Sequence, residues 1–349
     1  MKRREPAWTR LSDEQLLDLR LCDLRLRLRG SGLEPSIARL YRELAARGIA
    51  FRPHAWLAIE WFSPDGVPGF AVPFYLAHPR LQRLERKMTG EVEGSNRNWQ
   101  MRILRHEAGH AIDSAYRLRR RARWRALFGP ASQRYAPHYR ARPTSRRHVQ
   151  HLGEWYAQAH PTEYFAETFA VWLQPHSDWR RRYAAWPARA KLEYVAEVAA
   201  EIAHHRPPVQ CRERIEALED NTLTLREHYR RRLLALRRRH RARADAALRR
   251  VFGAAAPRTV TNGAAPRTTV SGDAALLRAH KAKLRGVLER DAGADRYGAQ
   301  QLVRLAIERC DRLQLPANGS RRVLLPRLRS ALVRMARGYM ESDQMRLRL

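Results

Sequence analysis

Cysteine is scarce in this sequence, and long apolar runs are missing from it. Three cysteines, Cys22, Cys211 and Cys310, are spread over 349 residues. Their odd number and wide separation exclude a disulfide framework and the paired spacing of a zinc finger, and they predict a reducing, cytoplasmic location. A transmembrane helix needs roughly 18 consecutive apolar residues, and no stretch of the sequence approaches this length. The sequence therefore predicts no transmembrane helix. The basic start of the chain is not followed by an apolar segment, so we also expect no secretory signal.

Lysine is also scarce, although the chain is strongly basic. Only five of the 68 basic residues are lysine, and the formal net charge is +33. Arginines are densest in residues 114–153, which contain eleven and no acid, and in residues 226–250, which contain eleven and two acids. A surface of this charge attracts polyanions, so nucleic acid or an acidic protein is a predicted partner. Richness in arginine and alanine also indicates a GC-rich genome, and solvated helix faces are the alternative interpretation.

One motif carries specific chemistry, the pentad from His106 to His110. Two histidines four residues apart lie on one face of a helix, so both imidazoles can bind a single zinc ion. Glu107 lies between them and can accept a proton from a water on that metal. Apolar residues before the pentad recur at helical spacing. The pattern predicts a catalytic zinc site in which His106 and His110 are ligands and Glu107 is the general base.

A catalytic zinc site usually takes a third protein ligand and leaves the fourth position open. Glu163 is our first candidate. It lies with Glu167 in an otherwise apolar predicted helix, where buried carboxylates are costly unless they are paired or bound to metal. The spacing of the two acids allows either one to reach the metal. The rival ligands are histidines of the segment between the two motifs: His138, His148, His151 and His160.

Two acids are candidates for supporting the ligands from outside. Glu167, one turn beyond Glu163, can accept a hydrogen bond from a ligand imidazole and so fix its tautomer. Asp113, one turn beyond His110, can act in the same way. An ion pair between Asp113 and Arg117 on the helix surface is the alternative, and both interpretations stay open at this point.

These motifs resemble a known family. The run from His106 to Asp113, Tyr156 seven residues before Glu163, and the run 163–167 are similar to the catalytic domain of the anthrax lethal factor type. This group of zincins has a glutamate as third ligand and includes the Pro-Pro endopeptidases. The resemblance covers roughly residues 95–175, and the arginine-rich insert between the motifs departs from the family, so it implies no substrate preference. It implies zinc ligands His106, His110 and Glu163, the base Glu107, the oxyanion donor Tyr156 and the outer carboxylate Glu167.

The wider pattern predicts an α+β fold, mainly helical, with a small sheet beside the active-site helix, and the resemblance implies that this fold is zincin-like. Residues 55–62 and 69–76 are typical of strands joined around a turn at 64–66. The active-site helix is expected to begin near Ser95 or Asn96 and to run as far as Phe128. We divide the chain into an N-terminal helical region (1–50), a zincin-like catalytic domain (51–215), a long basic helix (216–252), a flexible linker (253–272) and a small C-terminal helical module (273–349), in which we expect three helices.

Two functions from different classes fit these features. We predict a zinc-dependent metallopeptidase, most simply an endopeptidase, that hydrolyses a protein or peptide substrate with zinc as its cofactor. The alternative is a basic protein that binds nucleic acid or the ribosome and keeps a structural or vestigial zinc site. A solvent-open site with three ligands and Glu107 beside it favours the enzyme, whereas a closed four-ligand site favours the binding protein.

Overall fold

The structure is a computed structural model of the chain, and it describes residues 5–89, 92–136, 142, 144–153, 155–253, 272–294, 296–313, 315 and 320–348. The chain forms two compact units, residues 1–228 and residues 229–348. The predicted linker at 253–272 lies almost entirely outside the described residues. Within the described part of the chain, no helix is both long and apolar enough to cross a membrane.

Helices account for most of the structure and strands for one small sheet, which confirms the predicted mainly helical class. Apolar residues at helical spacing give these helices one buried face. Helix α2, for example, buries Ile37, Leu40 and Leu44. In chain order the helices are α1 (Asp13–Leu17), α2 (Glu34–Ala46), α3 (Pro79–Thr89), α4 (Arg97–Tyr116), α5 (Ala122–Phe128), α6 (Pro161–Leu173), α7 (Trp179–Arg182), α8 (Arg189–Ile202), α9 (Leu225–Phe252), α10 (Gly272–Ala279), α11 (Lys281–Ala292), α12 (Arg296–Leu313) and α13 (Arg321–Arg348).

The sheet consists of β1 (His54–Ala58) and β2 (Gly69–Pro73), which pair in parallel. Both strands are shorter than predicted, because the chain bends at residues 59–60 and forms a 3₁₀ helix at Phe74–Ala77. The connection returns along the other side of β2, where the Ala71 amide donates to the Phe62 carbonyl oxygen at 2.8 Å. This return path brings the next residue, Ser63, against helix α4.

Helix α4 carries the pentad and begins where the sequence predicts. The side chain of Asn96 caps it by accepting a hydrogen bond from the Trp99 amide at 2.8 Å. The helix ends at Tyr116, because Arg117 adopts a left-handed conformation with φ of 53°, and the chain restarts as α5 at Ala122. The prediction of one helix as far as Phe128 is therefore wrong. A helix end of this kind is usually marked by glycine, and here an arginine takes that position.

Gly109 allows α4 to pack directly against α6. A β-carbon at this position would lie 2.8 Å from the α-carbon of Ala166 and 3.2 Å from the β-carbon of Phe169. The atom at 2.8 Å belongs to the backbone and cannot move aside as a flexible side chain does. The close approach holds the two motif helices with their polar faces in contact.

A buried ion pair joins α4 to α2. The guanidinium of Arg105 donates to both carboxylate oxygens of Glu43, at 2.7 and 2.8 Å, and each side chain is 6% exposed. Glu43 also accepts a hydrogen bond from Arg39 at 2.9 Å. A bidentate pair of this kind fixes the mutual position of two helices, and loss of one partner leaves an uncompensated charge in the core.

The C-terminal unit has its own helical core. Helix α9 covers residues 225–252 of the predicted long basic helix at 216–252, and four helices follow it in the described residues, where the sequence predicts three. The difference arises at His280, where the chain breaks between α10 and α11. The predicted break near Gly293 is present, with φ of 67° at the end of α11. The buried core includes Leu248, Phe252, Leu277, Leu288, Val303, Leu328 and Leu332.

We expect Gly109→Ala to destabilise the protein by about 1–3 kcal/mol, because the new methyl group forces the helices apart. Alanine is otherwise the better helix former, so a stabilising result would contradict the packing described above. Gly32→Ala is the matched control, since a β-carbon there meets nothing within 4 Å. Urea unfolding of the three proteins provides the measurement.

Glu43→Gln should lower the free energy of unfolding by roughly 3 kcal/mol, because it leaves Arg105 charged and buried without its carboxylate. The same substitution at Glu193, which pairs with Arg189 where both side chains are 44% exposed, should cost less than about 0.5 kcal/mol. Chemical denaturation distinguishes the two cases. Equal small effects at both positions would show that Arg105 is well solvated.

Candidate metal centre

Helices α4 and α6 place three side chains around one point. His106 Nε2 lies 3.0 Å from Glu163 Oε2 and 3.2 Å from His110 Nε2, and His110 Nε2 lies 3.2 Å from the same carboxylate oxygen. The side chains of His106 and Glu163 are buried, whereas that of His110 is 12% exposed. One helical turn separates the histidines on α4, and Glu163 lies in the first turn of α6. His106 Nε2, His110 Nε2 and Glu163 Oε2 therefore form a small triangle where the two helices meet. We call this group the triangle.

The triangle fits a metal ion. A tetrahedral ion with ligand bonds of about 2.0–2.1 Å holds its ligand atoms about 3.3 Å apart, close to the separations found. Two imidazoles and a carboxylate suit zinc and also other divalent transition metals. In the described part of the chain, His106, His110 and Glu163 form the group that can hold an ion, and no fourth histidine, cysteine or carboxylate belongs to it.

Glu167 contacts His106 from the other side of the ring. Its Oε1 lies 2.9 Å from His106 Nδ1, and its Oε2 accepts a hydrogen bond from the Leu152 amide at 2.9 Å. A hydrogen bond from Nδ1 to a carboxylate leaves Nε2 as the nitrogen with a free lone pair. The structure therefore directs Glu163 into the triangle and Glu167 to the outer nitrogen, which is the arrangement that the resemblance implies.

Burial and charge act in opposite directions on these groups. Burial disfavours a charge on His106, but the hydrogen bonds to Glu163 and Glu167 raise the pKa of His106 well above its usual value. Burial likewise opposes ionisation of Glu163, but His110 and His106 hold the pKa of this carboxyl well below its usual range. The pKa of Glu167 is also lowered against burial, chiefly by His106. Two ionised carboxylates therefore face one pair of imidazoles.

Glu107 lies on α4 between the two histidines and is buried. Its Oε2 accepts a hydrogen bond from Ser63 Oγ at 2.9 Å. Burial raises the pKa of Glu107 despite the opposing influence of His106 and His110. A carboxylate with a raised pKa is a better proton acceptor near neutral pH. Sequence reasoning missed Ser63, because the residue lies in the connection between the strands and no motif marks it.

Two tyrosines lie beside the triangle. The ring of Tyr156 lies 5.6 Å from that of His106, and burial together with Glu163 and Glu107 raises the pKa of Tyr156. Tyr135 donates a hydrogen bond to Glu163 Oε1 at 2.7 Å. It therefore occupies the carboxylate oxygen that does not face the histidines. Burial and Glu163 raise the pKa of Tyr135, which keeps its proton on the phenol. No sequence signal marks Tyr135, because it lies outside both motifs.

The rival histidines do not join the triangle where the structure describes them. His151 Nε2 lies 2.9 Å from a backbone carbonyl oxygen of α4, and His160 Nε2 lies 2.7 Å from the Gln133 carbonyl oxygen. His148 lies 3.3 Å from a serine hydroxyl, and burial lowers its pKa to about 4. His138 lies outside the described residues. Glu163 is thus the residue that the structure brings to the two histidines of the pentad.

Asp113 forms an ion pair with an arginine. It accepts hydrogen bonds from the backbone amide of Arg119 at 2.8 Å and from its side chain at 2.7 Å. The left-handed Arg117 ends α4 and turns the chain so that Arg119 folds back onto the helix. The structure therefore shows an ion pair, but its arginine is Arg119 instead of Arg117, and Asp113 is buried instead of lying on the helix surface.

Acids elsewhere in the chain offset part of the first arginine-dense segment. Arg121 pairs with Glu201, and Arg123 pairs with Glu197, both from helix α8. Exposed pairs of this kind add little stability, but they reduce the local positive charge. Most of the second dense segment lies in α9, where the side chains of residues 233–243 are outside the described set. A polyanion partner stays a prediction.

Comparison with protein-family models, with curated proteins and with solved structures found no match to this chain. The geometry of the triangle and its neighbours is therefore the basis on which a function can be proposed.

We expect the purified protein to bind about one zinc ion per chain and to lose it when Glu163 is changed to Ala. Glu167→Ala leaves the triangle intact and should weaken zinc affinity by about 10–100-fold. Elemental analysis after dialysis against graded chelator compares the two variants, with Glu193→Ala as an exposed control. Zinc retained by Glu163→Ala but lost from Glu167→Ala would reverse the assignment of the two glutamates.

Proposed function

We propose that the N-terminal unit is a zinc-dependent peptidase that hydrolyses peptide bonds in a protein or peptide. The observation that carries this proposal is the triangle of His106, His110 and Glu163 with Glu107 buried beside it. Two imidazoles and a carboxylate, with a separate carboxylate free of the triangle, supply both the ligands and the base of a hydrolytic zinc site. The finer assignment of the unit as zincin-like is part of the same proposal.

The number of ligands supports a catalytic site over a structural one. Structural zinc sites are usually closed by four protein ligands, and the described residues provide three here. Partial exposure of His110 leaves one side of the triangle near solvent. These features favour the peptidase over the alternative of a binding protein with a vestigial metal site.

Glu107 is the residue placed to move the proton. When bound at the triangle, zinc lowers the pKa of a water molecule towards neutrality and polarises the substrate carbonyl group. Glu107 accepts the proton of the attacking water and delivers it to the amine nitrogen that leaves as the C–N bond breaks. Ser63 holds the carboxylate of Glu107 in place through its hydrogen bond at 2.9 Å. The raised pKa of Glu107 suits both halves of this transfer.

The two tyrosines have different roles, one as a hydrogen-bond donor to the substrate and the other as a positioning residue. Tyr156 lies against His106 and keeps its phenolic proton, so it can donate to the carbonyl oxygen as that atom gains negative charge. Tyr135 is engaged by Glu163 at 2.7 Å and acts as a positioning residue for that carboxylate. Glu167 orients His106 in the same indirect way, through Nδ1.

Glu107→Gln should reduce peptide hydrolysis by at least about 100-fold while zinc content stays unchanged, because the amide keeps the shape but cannot accept the proton. Ser63→Ala should cause a smaller loss, since the base remains but is less well oriented. The measurement is cleavage of an unfolded protein and of a mixed peptide library, followed by mass spectrometry of the products.

Glu60→Gln is the control, because Glu60 is an exposed acid outside the site. It should cleave as the unchanged protein does. Equal cleavage by Glu107→Gln would assign the activity to a contaminant and remove Glu107 from the proposal. Absence of cleavage by every protein, with zinc bound, would favour the structural metal site.

A further inference from the structure

A cavity opens beside the candidate metal centre, on the far side of Glu167. Its volume is about 540 Å³. It is lined by residues of α2, α4, the segment before α6, the C-terminal end of α6 with the loop that follows it, and α7. Helix α4 contributes Arg102, which lies one turn before His106 on the same helix. No step of the proposed hydrolysis uses this cavity.

Every charged side chain that lines the cavity is cationic. The four arginines are Arg39, Arg102, Arg105 and Arg182. Glu43, which does not line the cavity, pairs with both Arg39 and Arg105 and so offsets one of their two charges. The other two arginines, Arg102 and Arg182, therefore decide what charge the cavity accepts.

Neither Arg102 nor Arg182 forms an ion pair with a carboxylate of the described residues, in contrast to Arg105. Arg102 is half-buried, and Glu167, the acid that raises its pKa, is already hydrogen bonded to His106 and to the Leu152 amide. Burial lowers the pKa of Arg102, and Arg182 and Arg105 add to this effect by charge repulsion. Two guanidinium groups that repel each other in a partly buried space are stabilised by an anion placed between them.

The other groups that line the cavity indicate the chemistry of the rest of the ligand. Asn98, Gln150 and Gln174 offer amide donors and acceptors, and Ser177 offers a hydroxyl. Apolar side chains are few, and the rings that line the cavity among the described residues are the imidazoles of His151 and His176. The volume lies within the range of about 300–1,000 Å³ typical of small-molecule sites and leaves room for more than a single inorganic anion.

We propose that this cavity binds a small, hydroxyl-rich organic phosphate, with Arg102 and Arg182 as the groups that bind the phosphoryl oxygens. A phosphate monoester carries a charge of about −1.5 to −2 at neutral pH, which matches two arginines that have no carboxylate partner, whereas a carboxylate matches one. The planar guanidinium donates two parallel hydrogen bonds to a phosphoryl group. The amide side chains then contact the hydroxyl groups of the organic part. This site does not depend on the proposed peptidase activity.

Titration calorimetry with ribose 5-phosphate tests the proposal at low ionic strength, on metal-free and on zinc-loaded protein. We expect one site per chain in both forms, no binding of ribose, and weaker binding of inorganic phosphate. Arg102→Gln and Arg182→Gln should each weaken binding by about tenfold or more, because each removes a charge-assisted hydrogen bond. Arg182 is exposed, so its replacement leaves the fold intact even if Arg102→Gln does not fold.

Arg83→Gln is the matched control, since Arg83 is an exposed arginine of α3 outside the cavity. It should bind ribose 5-phosphate as the unchanged protein does. Several probe molecules per chain, or an equal loss in Arg83→Gln, would assign binding to the general charge of +33 and overturn the proposal. Absence of saturable binding by any phosphate probe would overturn it as well. Binding of ribose 5-phosphate by zinc-loaded protein that lacks peptidase activity would support the cavity and count against the proposed function alone.

Discussion

The approach of α4 to α6 at Gly109 is the constraint on which the site depends. Because no β-carbon separates the helices there, the histidines of α4 come within 3.2 Å of a carboxylate in the first turn of α6. If α4 and α6 lay further apart, the histidines and Glu163 would be too distant for one metal ion to reach all of them with bonds of about 2 Å. The fourth residue of the pentad thus matters as much as its histidines. Its contribution is steric, because it sets the distance over which they act.

Close packing of α4 against α6 buries two carboxylates, and each of them needs partners for its charge. Glu163 and Glu167 are buried among aromatic and aliphatic side chains of α6, where an isolated carboxylate would take up a proton. The two nitrogens of His106 each contact one of them, and His110 contacts Glu163 as well, so a pair of imidazoles offsets both. Tyr135 and the Leu152 amide satisfy the remaining oxygens. Buried carboxylates of this kind are tolerated because all four of their oxygens have partners.

Sequence reasoning predicts the residues of the site that lie on one helix at helical spacing. Spacing of four residues places His106 with His110, and the cost of burying acids in an apolar helix draws attention to Glu163. Ser63, Tyr135 and Arg119 were missed, because each reaches its partner through a turn or a long connection whose path has no periodic signal. The end of α4 was misplaced for a related reason: a left-handed arginine leaves no mark in the sequence comparable to glycine. The parallel pairing of the strands likewise depends on the path of the chain between them.

Charges alternate in sign along the contact between α4 and α6, and this order explains how so basic a chain keeps its buried acids ionised. Arg102, Glu167, His106 and Glu163 follow one another, and each of the first three influences the next. Glu167 raises the pKa of Arg102 against burial, and His106 lowers the pKa of Glu167. Glu167 therefore lies between a guanidinium on one side and an imidazole on the other. The arginines of this chain have at least one structural role, because Arg105 offsets the buried carboxylate of Glu43 between α4 and α2.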